Sequence, residues 1–136
     1  MQPPQGGRLT WRCGGCGRGR GAGRVCEPGT GQVEERAQAF AAAAAAGDTA
    51  TGCSLLAPAT GRALEHDSQL PCAVALGEDR LRGGRVQSVE VWGDAALVRL
   101  SDDTLFLTRT SGGWKVAAAG CTPNGDAPYD CRVEGP

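Results

Sequence analysis

Four cysteines constrain this chain more than any other feature: Cys53, Cys72, Cys121 and Cys131. Two flank a segment with helical patterning and two close the C-terminal region, with four strand-like runs between the pairs. A small exported domain uses disulfides in this way, to pin its helices and its last strand. The chain has 136 residues and seven cysteines in all, heavy use for a compartment that keeps thiols reduced. The odd number leaves one thiol free, intermolecular or metal-bound. A body of roughly 100 residues has a marginal core, and each disulfide adds on the order of 2–4 kcal/mol.

Charge divides the chain. Arg8, Arg12, Arg18, Arg20 and Arg24 precede the first acid, Glu27, and all fifteen acidic residues follow. Residues 1–31 are rich in Gly, Pro, Arg and Cys, lack apolar periodicity and are expected to form a flexible tail; residues 32–136 are expected to form one domain. Trp11 among the arginines could touch phosphate groups, but a tail with no scaffold behind it is a poor nucleic-acid binder, and no nucleic-acid partner is expected. No run is apolar enough to span a bilayer. The N-terminus lacks the apolar stretch of a signal peptide, so export would require a targeting segment other than the one shown.

From Gln32 to Ala46 the pattern predicts a helix. Val33, Ala37, Phe40, Ala41 and Ala44 recur at helical spacing, and six consecutive alanines favour the conformation. Gly47 suits the position after its end, and Asp48 can cap a second helix carrying Leu55 and Leu56 until Pro58 stops it. Thr60 restarts a short helix through Ala63 and Leu64 toward His66. After Cys72 the period changes to runs at Arg85–Trp92, Ala95–Leu100, Thr104–Thr110 and Trp114–Ala119. Gly93-Asp94, Asp102-Asp103 and Ser111-Gly112-Gly113 provide the turns. The expectation is an α+β fold, with N-terminal helices covering one face of a four-stranded antiparallel meander.

The order helix, "AAGDTATGCSLLAPAT", short helix, then "VQSVEVWGDAALVRLSDDTLFLTRTSGGWKVAAAGCTP" resembles the cone-shaped fold of the nuclear transport factor 2-like superfamily, which includes ketosteroid isomerase-like and polyketide cyclase-like enzymes. The resemblance runs from Val33 to Val133. "GGWKV" with its hairpin is common in the superfamily, and the Gly-Cys-Thr-Pro…Tyr-Asp-Cys ending is similar to small secreted or lipid-anchored actinobacterial members of unknown function. It implies disulfides Cys53–Cys72 and Cys121–Cys131 and an extracytoplasmic, secreted or cell-surface location. Enzymes of the superfamily need carboxylates or a His–Asp pair inside the cone. The matching strands here offer Ala95, Leu97, Val98, Leu105, Phe106 and Leu107, and the acids Asp94, Asp102 and Asp103 fall in turns. A non-catalytic domain without cofactor is therefore expected, one that binds a small apolar ligand in the cone or a partner protein through the open sheet face. An isomerase- or cyclase-like enzyme with a relocated acid–base group is the alternative, and homodimerisation through the outer sheet face, using Val89 and Val91, is another.

Candidate ligand contacts are Trp92 and Trp114 at the rim, Phe106, and Arg99 if it points into the cone; strand alternation with Val98 and Leu100 would send Arg99 outward instead. Cys13-x-x-Cys16 with Cys26 resembles part of a zinc knuckle, whose fourth ligand would have to come from His66 or another chain, but three ligands in a Gly/Arg segment fall short of a structural site and no metal is expected. His66 between Glu65 and Asp67 more simply marks a solvated helix end, because side chains adjacent in sequence do not face each other on a helix.

Overall fold

The computed structural model describes residues 30–135; Trp11, Cys13, Cys16, Cys26 and the arginine-rich segment lie outside the described residues. Among the described residues four helices precede a five-stranded sheet. The helices are α1 (Thr30–Ala46), α2 (Thr49–Leu55), α3 (Pro58–Ser68) and α4 (Cys72–Glu78). The strands are β1 (Val86–Trp92), β2 (Ala95–Leu100), β3 (Thr104–Thr110), β4 (Gly113–Asn124) and β5 (Ala127–Glu134), antiparallel throughout and in sequential order across the sheet.

Helix α1 buries Val33, Ala37, Phe40, Ala41 and Ala43, a stripe at helical spacing. It ends in a Schellman motif: Asp48 N–H donates to Ala43 O (2.9 Å), Gly47 N–H to Ala44 O (3.2 Å), and Gly47 takes a φ of 72° that costs a glycine little. Asp48 then caps α2, its Oδ1 accepting the Thr51 N–H at 3.3 Å. Its bonds to Thr51 hold the carboxyl below its ordinary pKa. Leu55 and Leu56 are buried as expected. Pro58 plays a second part: it occupies the first turn of α3, where its missing N–H removes no helical bond. Packing of α2 on α4 is close, and a Cβ on Gly52 would stand 2.8 Å from Leu76 Cδ2.

Two elements depart from the sequence expectation. Helix α4 occupies residues expected to lead into the sheet. Beyond β4, which runs on past Ala119 to Asn124, a fifth strand replaces the expected C-terminal tail. The reason is visible in the pairing: Ala119 faces Val133, Cys121 faces Cys131 and Asn124 faces Ala127 around a two-residue turn. Val133 is 1% exposed, so β5 is held by burial as well as by its ladder.

The core lies between the helices and one face of the sheet. Val33, Phe40, Leu55, Leu56 and Leu76 meet Val98, Leu105, Leu107, Trp114, Val116 and Val133. A register shift between β3 and β4 places Ala117 in a bulge, which frees carbonyls for the helical layer. Val116 O accepts the Ala57 N–H at 2.8 Å, and Ala117 O accepts the Thr60 hydroxyl at 2.9 Å. Thr60 is thereby buried without an unmet hydrogen-bonding group.

Candidate functional site

Register sorts the strand residues onto two faces. Val89 pairs with Val98 and Val91 with Ala96, so both valines lie on the helix side and pack against the core. They are therefore not available to an interface on the outer face, contrary to the sequence expectation; the strand alternates, and the core claimed its apolar set. The outer face carries a row of paired positions, Glu90, Leu97, Phe106 and Ala118. Leu97 and Ala118 are each 6% exposed yet stand outside the core cluster.

Across this row the aromatic and charged groups converge. Phe106 and Tyr129 meet edge to face with ring centroids 5.3 Å apart, a favoured aromatic arrangement. Arg99 points outward: its Nη1 lies 3.4 Å from Glu90 Oε2, and the Tyr129 phenol is close enough to act on its charge. Tyr129 foremost, and then the Glu90 carboxylate, raise the Arg99 pKa above its ordinary value. Beside them lies a shallow depression of about 320 Å³ lined by Phe106, Ala117, Ala118, Pro128, Tyr129 and Glu134.

The remaining candidates separate. Trp92 stands at the β1–β2 turn and is 56% exposed. Trp114 is 2% exposed within the core, and Arg109 covers its ring at 5.2 Å while bonding Asp94 (3.1 Å) and Gly93 O (3.2 Å). Its indole is thus closed to a ligand, because Arg109 ties the β1–β2 turn down over it. Phe106 and Arg99 are brought together with Tyr129; Trp114 is not. Tyr129 escaped the sequence reading because it belongs to β5, although Asn124-Gly125-Asp126 before it is a turn signal.

On the helix side a cleft of about 70 Å³ opens between α1, α2 and α4, floored by Phe40, Gly52, Leu76 and Leu81 with Asp48 and Arg80 at its edge. It is far smaller than the roughly 300–1,000 Å³ of small-molecule pockets. His66 borders an open groove with Arg62, Asp67 and Glu134. Its neighbour Glu65 turns away to accept the Cys72 N–H at 3.0 Å, so the Glu65–His66–Asp67 trio does not converge. Among the described residues no group of three or more His, Cys, Asp or Glu side chains is placed to hold a metal ion.

Two carboxylates depart from ordinary behaviour. Asp103 follows the β2–β3 turn and accepts three backbone N–H groups, from Thr104 (2.7 Å), Gly120 (3.1 Å) and Cys121 (3.1 Å). Burial nevertheless outweighs these bonds and the Arg132 charge, pushing its pKa up. Asp79, at the end of α4, is also pushed up, chiefly by burial, and its Oδ2 is buried with no hydrogen-bond partner among the described residues. Arg132 bonds the Asp79 carbonyl at 2.9 Å, so β5, α4 and the β2–β3 turn meet there. Among the described residues two disulfides form: Cys53–Cys72, joining α2 to α4, and Cys121–Cys131, directly across β4 and β5. No described helix is long and apolar enough to cross a membrane. Comparison with known proteins finds no matching family model, no similar curated protein and no similar solved structure.

Proposed function

We propose that this is a non-catalytic extracytoplasmic domain of the nuclear transport factor 2-like kind, which binds a partner protein or an apolar ligand on the outer face of its sheet. One observation carries the reading: the depression lined by Phe106, Tyr129, Pro128 and Ala118, flanked by the Arg99–Glu90 pair. It pairs an apolar floor with a few placed polar groups, the composition expected of a recognition surface. The helix-side cleft, at about 70 Å³, gives an interior ligand too little room. The extracytoplasmic assignment rests on the two disulfides. The isomerase-like alternative needs a proton carrier with a free oxygen in a cavity. Asp103, the half-buried candidate, has both carboxylate oxygens engaged by backbone N–H groups, which favours a structural role for it. Homodimerisation is the second reading, favoured by exposed Trp92 at the end of edge strand β1.

The test is titration of the oxidised protein with an apolar fluorescent probe, anilinonaphthalene sulfonate, in wild type and Phe106→Ser, with sedimentation velocity alongside. Saturable binding weakened at least about tenfold in the variant, at unchanged fold, supports the surface. Equal binding by both proteins would remove Phe106 from the site and the reading with it. A wild-type dimer that Trp92→Ser dissociates would favour the second reading.

A further inference from the structure

The tip of the last hairpin brings together three conditions for a covalent change in the backbone. Asn124, the single asparagine of the chain, is followed by Gly125. Asn124 pairs with Ala127, so Gly125 and Asp126 form the two-residue loop, and Gly125 takes a φ of 60° while Asp126 does not have positive φ. That is the pattern of a type II′ turn, which calls for glycine at its first central position. The fold thus requires beside Asn124 the one residue whose nitrogen no side chain screens. Residues Thr122 to Pro128 are all exposed, and a Cβ built on Gly125 would meet nothing within 4 Å. The Gly125 N–H donates to no described residue, so deprotonating it breaks no hydrogen bond.

We propose that Asn124 is a site of spontaneous deamidation and isoaspartate formation in the folded protein. Hydroxide removes the Gly125 amide proton, and the nitrogen attacks Asn124 Cγ. A new bond forms from that nitrogen to Cγ, the bond from Cγ to Nδ2 breaks, and ammonia leaves with a proton from solvent, closing a five-membered succinimide. Water then opens the ring. Cleavage of the bond from Gly125 N to Cγ leaves aspartate; cleavage of the bond to the Asn124 carbonyl carbon leaves isoaspartate, with the backbone now running through the side chain. The net change is water in and ammonia out, with no oxidant or enzyme.

The product places a new carboxylate two residues from Asp126, and the isoaspartate form adds a methylene to the backbone between strand and turn. The Asn124–Ala127 pair is lost, whereas Thr122–Asp130 and the Cys121–Cys131 bond lie below the change and retain β5. Covalent closure of the hairpin base therefore confines the damage to the tip. This inference rests on the tip geometry alone and stands or falls independently of the binding surface.

The experiment incubates the oxidised full-length protein in neutral and in alkaline buffer, beside the reduced and alkylated protein, and follows intact mass, peptide maps and methylation by an isoaspartate methyltransferase. The expected result is a gain of one mass unit, faster in alkali, mapped to residue 124 as both products, at a rate within about tenfold of the unfolded form. Asn124→Gln, which would need a larger ring, should show no such gain while keeping both disulfides. The proposal is overturned if the folded protein stays intact while the unfolded form is converted, or if the gain maps elsewhere.

Discussion

The two disulfides close loops of 19 and 10 residues, and the entropy of loop closure makes them nearly equal, roughly 3 kcal/mol each. What they hold differs greatly. Cys53–Cys72 joins two short helices already packed through Gly52, Leu76 and Phe40. Cys121–Cys131 closes a hairpin whose residues from Thr122 to Pro128 are exposed, and whose anchorage below is Val133, Arg132 and the Asp103 clasp. The same covalent device reinforces a packed layer in one place and substitutes for packing in the other. Loop length alone would not distinguish them; the apolar surface buried around each bond does.

The largest test replaces each pair in turn. Cys53→Ala with Cys72→Ala and Cys121→Ala with Cys131→Ala should each lower stability by about 2–4 kcal/mol in urea unfolding. Hydrogen exchange should separate them: the first change lowers protection throughout the helical layer and core, the second mainly over β5. Global loss of protection in both would erase the contrast.

Next in size is Asp103→Ala, which leaves the N–H groups of Thr104, Gly120 and Cys121 without their acceptor. A cost of about 2–3 kcal/mol is expected from urea midpoints, with β5 exchange rising before that of β2. A loss under about half a kcal/mol would show that water replaces the carboxylate freely. On the helical side, Thr60→Val keeps the shape but removes the hydroxyl bond to Ala117 O. It should cost about 1 kcal/mol and leave the hairpin's exchange untouched, which heteronuclear NMR can follow.

The smallest effect is electrostatic. The folded pKa values of Asp79 and Asp103 are raised by burial, so the fold disfavours their ionised forms. Stability should therefore increase as pH falls from neutral through these raised values toward the ordinary carboxylate value, below which the gain is complete. Asp48, whose pKa is lowered, acts in the opposite sense and withdraws support in stronger acid. Thermal melts across mildly acidic pH should show the rise, and Asp79→Asn should reduce it to the part that Asp103 contributes while raising neutral-pH stability by less than about 1 kcal/mol. A melt that falls steadily on acidification would contradict the assignment.

Legibility in the sequence follows how local each signal is. Helix α1, its glycine stop and the Asp48 cap are written within a few residues of one another. So are the turns that separate β1 to β4. Helix α4 has only seven residues, too few for a period to register, and its start is marked by Pro71 and by Glu65 reaching across from α3. Strand β5 carries Pro128 and alternates mostly among exposed residues, a pattern that suits an edge strand but resembles a tail. Missing β5 concealed Tyr129, and with it the reason that Arg99 and Phe106 belong to one surface.

The order of helices before strands, the apolar stripe of α1 and the positions of the tight turns are legible in the chain alone, because each depends on conformational preferences of neighbouring residues. That Trp114 is core and Phe106 is surface, that Val89 and Val91 face the helices, and that Asp103 holds β4 follow from the packed fold alone. Those outcomes depend on bulges at Gln87 and Ala117 and on contacts between residues far apart in sequence, such as Thr60 with Ala117 and Arg99 with Tyr129. A shift of one residue in register reverses which side chains a strand buries, and no local preference carries that information.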